Sequence, residues 1–213
     1  MKIKNFIITF VSAIALLLST SVVSFAKVVG DKIVLGAAVS LTGKYSSNGV
    51  HTQNGYNMAV DRINSMGGVK VGGKTYKFEI IYYDDESNPK RAAQLAERLI
   101  SQDGVEFMLG PYSSGLTKAM APVTEKYGVP MVEANGASRS LFTKGYKYLF
   151  AVLAPANLYL DVAIRTAVEL NGGKGVNIAM AFEQDAFSQD VRLGIVDAAE
   201  DTGSKIVIDD KLP

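Results

Sequence analysis

Between Leu109 and Thr117 the chain reads LGPYSSGLT: an apolar run, VEFML, breaks at Gly110-Pro111 and resumes as the helix-like LTKAMAPVTEKYG. Tyr112, Ser113 and Ser114 therefore bring hydroxyls to a strand-to-helix junction. Such hydroxyls could cap the helix, attack a substrate or hold a ligand. A helix start offers unpaired backbone N–H groups and the positive end of its dipole, which favour an anion such as a carboxylate. Either serine could donate to the same oxygens. A second stretch, ANGASRS, has the same character. Gly136 and Ala137 let a ligand approach the backbone, and the Ser138 hydroxyl can accept from an ammonium or donate to a carboxylate. If the two stretches end neighbouring parallel strands, their loops lie side by side and suit a zwitterion. Arg139 then reads either as a solvated loop charge or as the partner of an acidic ligand.

Enzyme chemistry finds little support. No G-x-G-x-x-G follows a strand, no Walker loop occurs, and GPYSSG lacks the glycine spacing of a nucleophile elbow. His51 is the only histidine and sits before a helix with no partner to activate a serine, so it reads as a solvated residue. Asp84, Asp85 and Glu86 could suggest a hard cation, but such a run at a strand end reads as a cap for the next helix that meets solvent. Neither a metal nor a cofactor is expected. The chain has no cysteine, which excludes a disulfide framework, a thiol nucleophile, cysteine metal sites and a lipidated cysteine. Tyr82, Tyr83, Tyr146 and Tyr148 lack the basic stripe of a stacking platform and belong in half-buried strands.

The elements that must position these loops alternate. KIVLGAAVS is a strand rich in β-branched residues, and TQNGYNMAVDRINSMGG a helix with Met58, Ala59, Ile63 and Met66 at helical spacing. KFEIIYYDD is the next strand. In SNPKRAAQLAERLISQDG, Asn88 caps, Pro89 takes the first helical position, and Ala92, Leu95, Ala96 and Leu99 form the apolar stripe. VEFMLG, SGLTKAMAPVTEKYG and VPMVEA continue as strand, helix, strand. A turn-rich link precedes the helix NLYLDVAIRTAVELNGG, the strand VNIAMAF, the helix FSQDVRLGIVDAAEDTG and the strand KIVIDD. Short connections between alternating strands and helices imply parallel strands with right-handed crossovers, an open α/β sheet with helices on both faces. Ligands in such sheets sit beyond the carboxyl ends of the strands.

Lys2 and Lys4, the apolar FIITFVSAIALLLS and the small residues Ser24 and Ala26 make residues 1–26 a secretory signal with cleavage after Ala26, in preference to an uncleaved anchor. Its removal takes the formal net charge from +1 to −1, which attracts neither nucleic acid nor anionic membrane. Export without a lipid anchor implies a periplasm. The alternation stops at Lys211-Leu212-Pro213 with no closing helix, so an N-terminal portion of a longer protein is expected.

The ordered set IVLGAAVSLTGKYSSNGVHTQNGYNMAVDRINSMGGV, YYDDESNPKRAAQLAERLI, LGPYSSGLTKAMAPVTEKYGVPMVEANGAS and GYKYLFAV resembles the branched-chain amino-acid binding proteins of ABC transporters, the type I periplasmic-binding fold. The resemblance implies two α/β lobes with a ligand enclosed between them, residues 27–150 beginning the first and 151–213 the second. It implies that Ser114, Ala137 and Ser138 hold the α-carboxylate and α-ammonium of an amino acid. It places Phe187 where the family often has tyrosine, and Asn48, near Tyr45, where a first-loop aromatic often touches the ligand. These departures, with Tyr112, argue against strict leucine specificity. The implied protein is a monomeric, non-enzymatic binder that delivers an amino acid or related carboxylate to a membrane permease. A receptor's ligand-sensing module is the alternative.

Overall fold

The structure, a computed structural model, describes residues 28–212; the signal segment expected at 1–26 lies outside the described residues. The β-branched and small apolar run after Asp31 forms β2 (Lys32–Val39), which is buried along most of its length. Flanking it in sequence are β1 (Val28–Val29), β3 (Val69–Val71), β4 (Lys74–Asp84), β5 (Met108–Leu109), β6 (Met131–Glu133) and β7 (Leu149–Ala151). These seven make one sheet in the order β3-β4-β2-β5-β6-β7, with β1 added antiparallel to β2. The β4-β2-β5-β6-β7 ladders are all parallel, whereas β3 and β4 form an antiparallel hairpin. Two strands further on, β8 (Asn177–Phe182) and β9 (Lys205–Lys211), pair parallel in a sheet of their own.

Among the described residues five helices connect them: α1 (Ser46–Ser65), α2 (Pro89–Ser101), α3 (Ser114–Tyr127), α4 (Asp161–Leu170) and α5 (Ala186–Thr202). Helix α2 forms where its sequence says it should. The Asn88 side chain accepts the Lys90 and Arg91 N–H groups, Pro89 occupies the first position, and Ala92, Leu95, Ala96 and Leu99 are buried. They pack with Val34, Ala38, Met108, Leu116, Met120 and Met131 into the main core. Each large side chain buried there contributes about 1.5–3 kcal/mol. Gly36 is needed in β2 because a methyl group at that position would meet Met108 and Val105 at 2.8 Å. A smaller core of Ile164, Met180, Ile195 and Ala198 lies between α4, α5 and β8.

Helix α1 departs from the expected stripe. Met58 and Met66 are 71% and 68% exposed, and the residues it buries are Gly49 and Thr52. The reason is contact geometry: α1 comes so close to the end of β2 that a side chain at Gly49 would overlap the Ser40 carbonyl. The expected single helix after Asn157 divides into a 3-10 turn, Ala156–Leu158, and α4. The turn-rich link contains the strand β7 and a second 3-10 turn, Arg139–Leu141.

Candidate functional site

Strand β4 lies on one side of β2 and β5 on the other, so the connection after β2 runs one way along the sheet and that after β5 runs the other. The loops after β2 and β5 diverge at that point, and a crevice opens between them. The loop after β2 is held from β4. Asp84 Oδ1 accepts the N–H of Leu41 at 2.9 Å and of Thr42 at 3.2 Å, and its Oδ2 accepts the Thr42 hydroxyl at 2.7 Å. Asp85 is fully buried and accepts the Ser40 hydroxyl at 2.6 Å. Burial works to raise the Asp84 pKa, but the bonds from Thr42, Glu86 and Leu41 outweigh it and hold the carboxyl below its ordinary value. For Asp85 burial wins and pushes the pKa up. This corrects the sequence reading of both acids as a solvent-facing helix cap: Asn88 is the cap, and the aspartates reach the parallel neighbour's loop because β2 and β4 end together at Val39 and Asp84.

In the next loop the two serines divide their roles. Ser113 caps α3, its hydroxyl accepting the Leu116 N–H at 3.3 Å, and it does so at φ 78°, ψ 147°, a region that favours glycine. Ser114 is buried, and its hydroxyl accepts the backbone N–H of Ser138 at 3.1 Å. That bond joins the β5 loop to the β6 loop and leaves the Ser114 hydroxyl its own proton to donate. Gly136 is wedged between the loops, since an added Cβ would lie 2.6 Å from Thr117 Oγ1 and 2.7 Å from Glu133 Oε2. The Ala137 carbonyl accepts the Ala156 N–H at 2.8 Å. The Ser138 side chain turns to Ser140, with the two hydroxyl oxygens 2.9 Å apart, and caps the 3-10 turn there. Ser138 therefore donates its N–H across to the β5 loop and keeps its hydroxyl within its own turn, where it accepts the Ser140 N–H at 3.3 Å. Its neighbour Arg139 gives its N–H to Asp190 Oδ2 on α5 at 2.8 Å and its side chain to Asp190 Oδ1 at 3.4 Å. Arg139 thus keeps a side chain that is 44% exposed, as a solvated loop charge would be, and at the same time pairs with the buried Asp190.

Aromatic rings rim the loops. Tyr112 meets Tyr45 edge-on with centroids 5.4 Å apart, and Phe187, in the first turn of α5, meets Tyr159 at 5.6 Å. A cavity of about 400 Å³ opens beside Tyr112, lined by Asn48, His51, Thr52, Tyr56, Tyr112 and Asn135, among others. Tyr56 donates its hydroxyl to the Gly110 carbonyl at 2.8 Å, and burial, with a smaller contribution from Glu133, raises its pKa well beyond the ordinary value. A larger groove of about 760 Å³ runs over β8 between α4 and α5. Its lining is mostly apolar, includes Phe187 and Ser188, and contains none of Ser113, Ser114 or Gly136–Ser138, whereas the smaller cavity reaches the β5 and β6 loops through Tyr112, Ala134 and Asn135.

Residues 32–213 match the family described as periplasmic binding protein. The chain belongs to the periplasmic binding protein family. A leucine-, isoleucine-, valine-, threonine- and alanine-binding protein of Pseudomonas aeruginosa is 27% identical over 178 residues, covering 84% of this chain and 46% of the relative. A branched-chain amino acid transporter substrate binding protein from Streptococcus pneumoniae, solved with isoleucine, superimposes with a TM-score of 0.71 at 26% identity, covering 85% of this chain and 49% of that one. A solute binding protein of R. palustris in complex with 4-hydroxybenzoate gives 0.71 at 28% identity, covering 86% and 47%. The chain spans about half the length of the curated relatives it matches. The fold is that of a type I periplasmic binding protein, with the described residues forming one mostly parallel seven-stranded sheet and one two-stranded parallel sheet.

Of the residues singled out in the sequence, this periplasmic binding protein brings Ser113, Ser114, Gly136, Ala137 and Ser138 together at the β5 and β6 loops. Asn48 and Tyr112 share the adjoining cavity. Phe187 stands apart from them, on the α5 side with Tyr159. Sequence reasoning passed over Tyr56, Glu133, Asn135 and Asp190. Glu133 alone carried a signal: it is a carboxylate closing the apolar run VPMV, where a strand end bound for the interior has no use for charge.

Proposed function

We propose that this periplasmic binding protein captures an amino acid or related small carboxylate between two lobes and presents it to a membrane permease, with no bond made or broken. The observation that carries the reading is the Ser114–Ser138 bond at 3.1 Å, which locks two strand-end loops rich in small and hydroxyl residues into one cradle beside the sheet's switch point. The cradle adjoins a cavity whose polar lining, Asn48, His51, Thr52 and Asn135, and two tyrosines suit a small polar molecule. Relatives support the class, since one is named for leucine, isoleucine, valine, threonine and alanine and solved neighbours hold isoleucine or 4-hydroxybenzoate. Residues 27–150 start the first lobe and 151–213 the second. The protein acts as a monomer in the periplasm, and closure of the lobes on the solute is the state the permease reads. Among the described residues no helix is long and apolar enough to cross a membrane.

Thermal unfolding with L-leucine, L-isoleucine, L-valine, benzoate and 4-hydroxybenzoate tests this. A ligand at a hundred times its dissociation constant adds about 2.7 kcal/mol. At about 2–4 °C per kcal/mol for a chain of this size, the midpoint rises by roughly 5–11 °C. A folded chain that shifts with none of them overturns the proposal.

A further inference from the structure

Glu133 ends β6 and is fully buried, although the rest of its run is apolar. Its Oε2 accepts the N–H of Asn135 at 3.0 Å and, in a shorter bond, that of Gly136. Its Oε1 is buried and has no hydrogen-bond partner. The surroundings fit this one side chain closely. Gly110 packs on it so tightly that any side chain there would overlap Glu133, and the Gly110 carbonyl is in turn fixed by the Tyr56 hydroxyl. A buried carboxyl group with an unpaired oxygen costs stability, and burial accordingly raises its pKa. An apolar residue would serve the strand better, so the use of Glu133 lies in what its bonds hold.

They hold the two residues that connect the cavity to the cradle. Asn135 lines the cavity, and Gly136 leads into Ser138, whose N–H meets Ser114. We infer that Glu133 is the positioning residue of the binding site: its Oε2 gathers the Asn135 and Gly136 amides and so sets the cradle for the ligand's carboxylate. The inference rests on the ligand-capture reading above. A glutamine can do the same work with its amide oxygen, placing its NH2 where Oε1 stands; an alanine cannot.

The test uses the full chain with L-isoleucine and 4-hydroxybenzoate as probes, together with amide hydrogen exchange. In Glu133→Ala the Asn135, Gly136 and Ser138 amides exchange at least tenfold faster and the affinity for the bound probe falls at least tenfold, while Leu95 and Leu99 in α2 stay protected. Glu133→Gln restores both, whereas Glu133→Met, which fills a similar volume without an acceptor oxygen, restores neither, as a merely space-filling role would not predict. Should Glu133→Ala lose its α2 protection, Glu133→Asp, which withdraws the carboxylate by one methylene, takes its place with the same expected loss. Wild-type affinity and wild-type exchange in the Ala or Asp variant, or a Gln variant as impaired as they are, overturns the inference while leaving ligand capture intact. If the wild-type chain binds neither probe nor any other ligand of the panel, ligand capture and this inference fall together.

Discussion

Ser113 offers a substitution that should improve the fold. It holds φ 78° and ψ 147°, a conformation that costs a non-glycine residue about 1–3 kcal/mol. Its side chain repays part of this as the cap of α3, bonded to the Leu116 N–H at 3.3 Å. Replacing a serine cap by glycine costs only a few tenths of a kcal/mol, whereas alanine costs about 1 kcal/mol. Glycine also gains about 0.4–1 kcal/mol of entropy in the unfolded chain, which opposes folding. Ser113→Gly should therefore fall between neutral and about 2 kcal/mol more stable, and Ser113→Ala about 1 kcal/mol less stable because it keeps the strain and loses the cap. Both variants delete the same hydroxyl, so their difference isolates the backbone. At about 2–4 °C per kcal/mol the glycine variant should melt at least 2 °C above the alanine variant in parallel thermal scans without ligand. Equal midpoints, or alanine above glycine, would refute the reasoning that Ser113 is strained.

Gly194 on α5 faces the carbonyl of Asn157, and a methyl group there would overlap backbone that cannot move aside. Gly194→Ala should cost at least about 1–3 kcal/mol in urea unfolding. Asp190→Ala deletes the buried acceptor of the Arg139 N–H and should cost about 1–3 kcal/mol, whereas Arg165→Ala, which loses exposed pairs with Asp161 and Asp201, should change stability by less than about 1 kcal/mol. Equal effects would contradict the structural role given to the Arg139–Asp190 tie. Glu133 titrates above its ordinary value in the folded chain because it is buried, so the folded state holds the proton more tightly than the unfolded one. Its contribution is complete below pH 4.5 and is lost as pH rises through the folded value. The stability of Glu133→Gln relative to wild type should therefore increase with pH from 4.5 upward, and a constant difference in urea midpoints would show that no such shift exists.

Local rules made helix α2 and the parallel sheet legible, because Asn88, Pro89 and the stripe from Ala92 to Leu99 each act within a few residues of one another. Helix α1 was misread because its stripe of methionines is a surface feature, and the contact that seats it, Gly49 on Ser40, has no periodicity to detect. The short strands β1, β3 and β7 exist through pairing with partners that no local pattern names. At the site, the residue types in GPYSS and ANGAS pointed to two strand-end loops that the structure brings into contact. The division of labour between Ser113 and Ser114, the buried Glu133–Gly136 bond and the half-buried Arg139–Asp190 pair depend on which loops meet in space.

The central claim is that the β5 and β6 loops form a ligand cradle. The most direct measurement is a crystal structure of the chain grown with whichever panel ligand gives the largest thermal shift. The account predicts the ligand's carboxylate within hydrogen-bond reach of Ser114 and the Gly136–Ser138 backbone, beside Tyr112. Ligand density elsewhere, with the Ser114–Ser138 loops untouched, would contradict it.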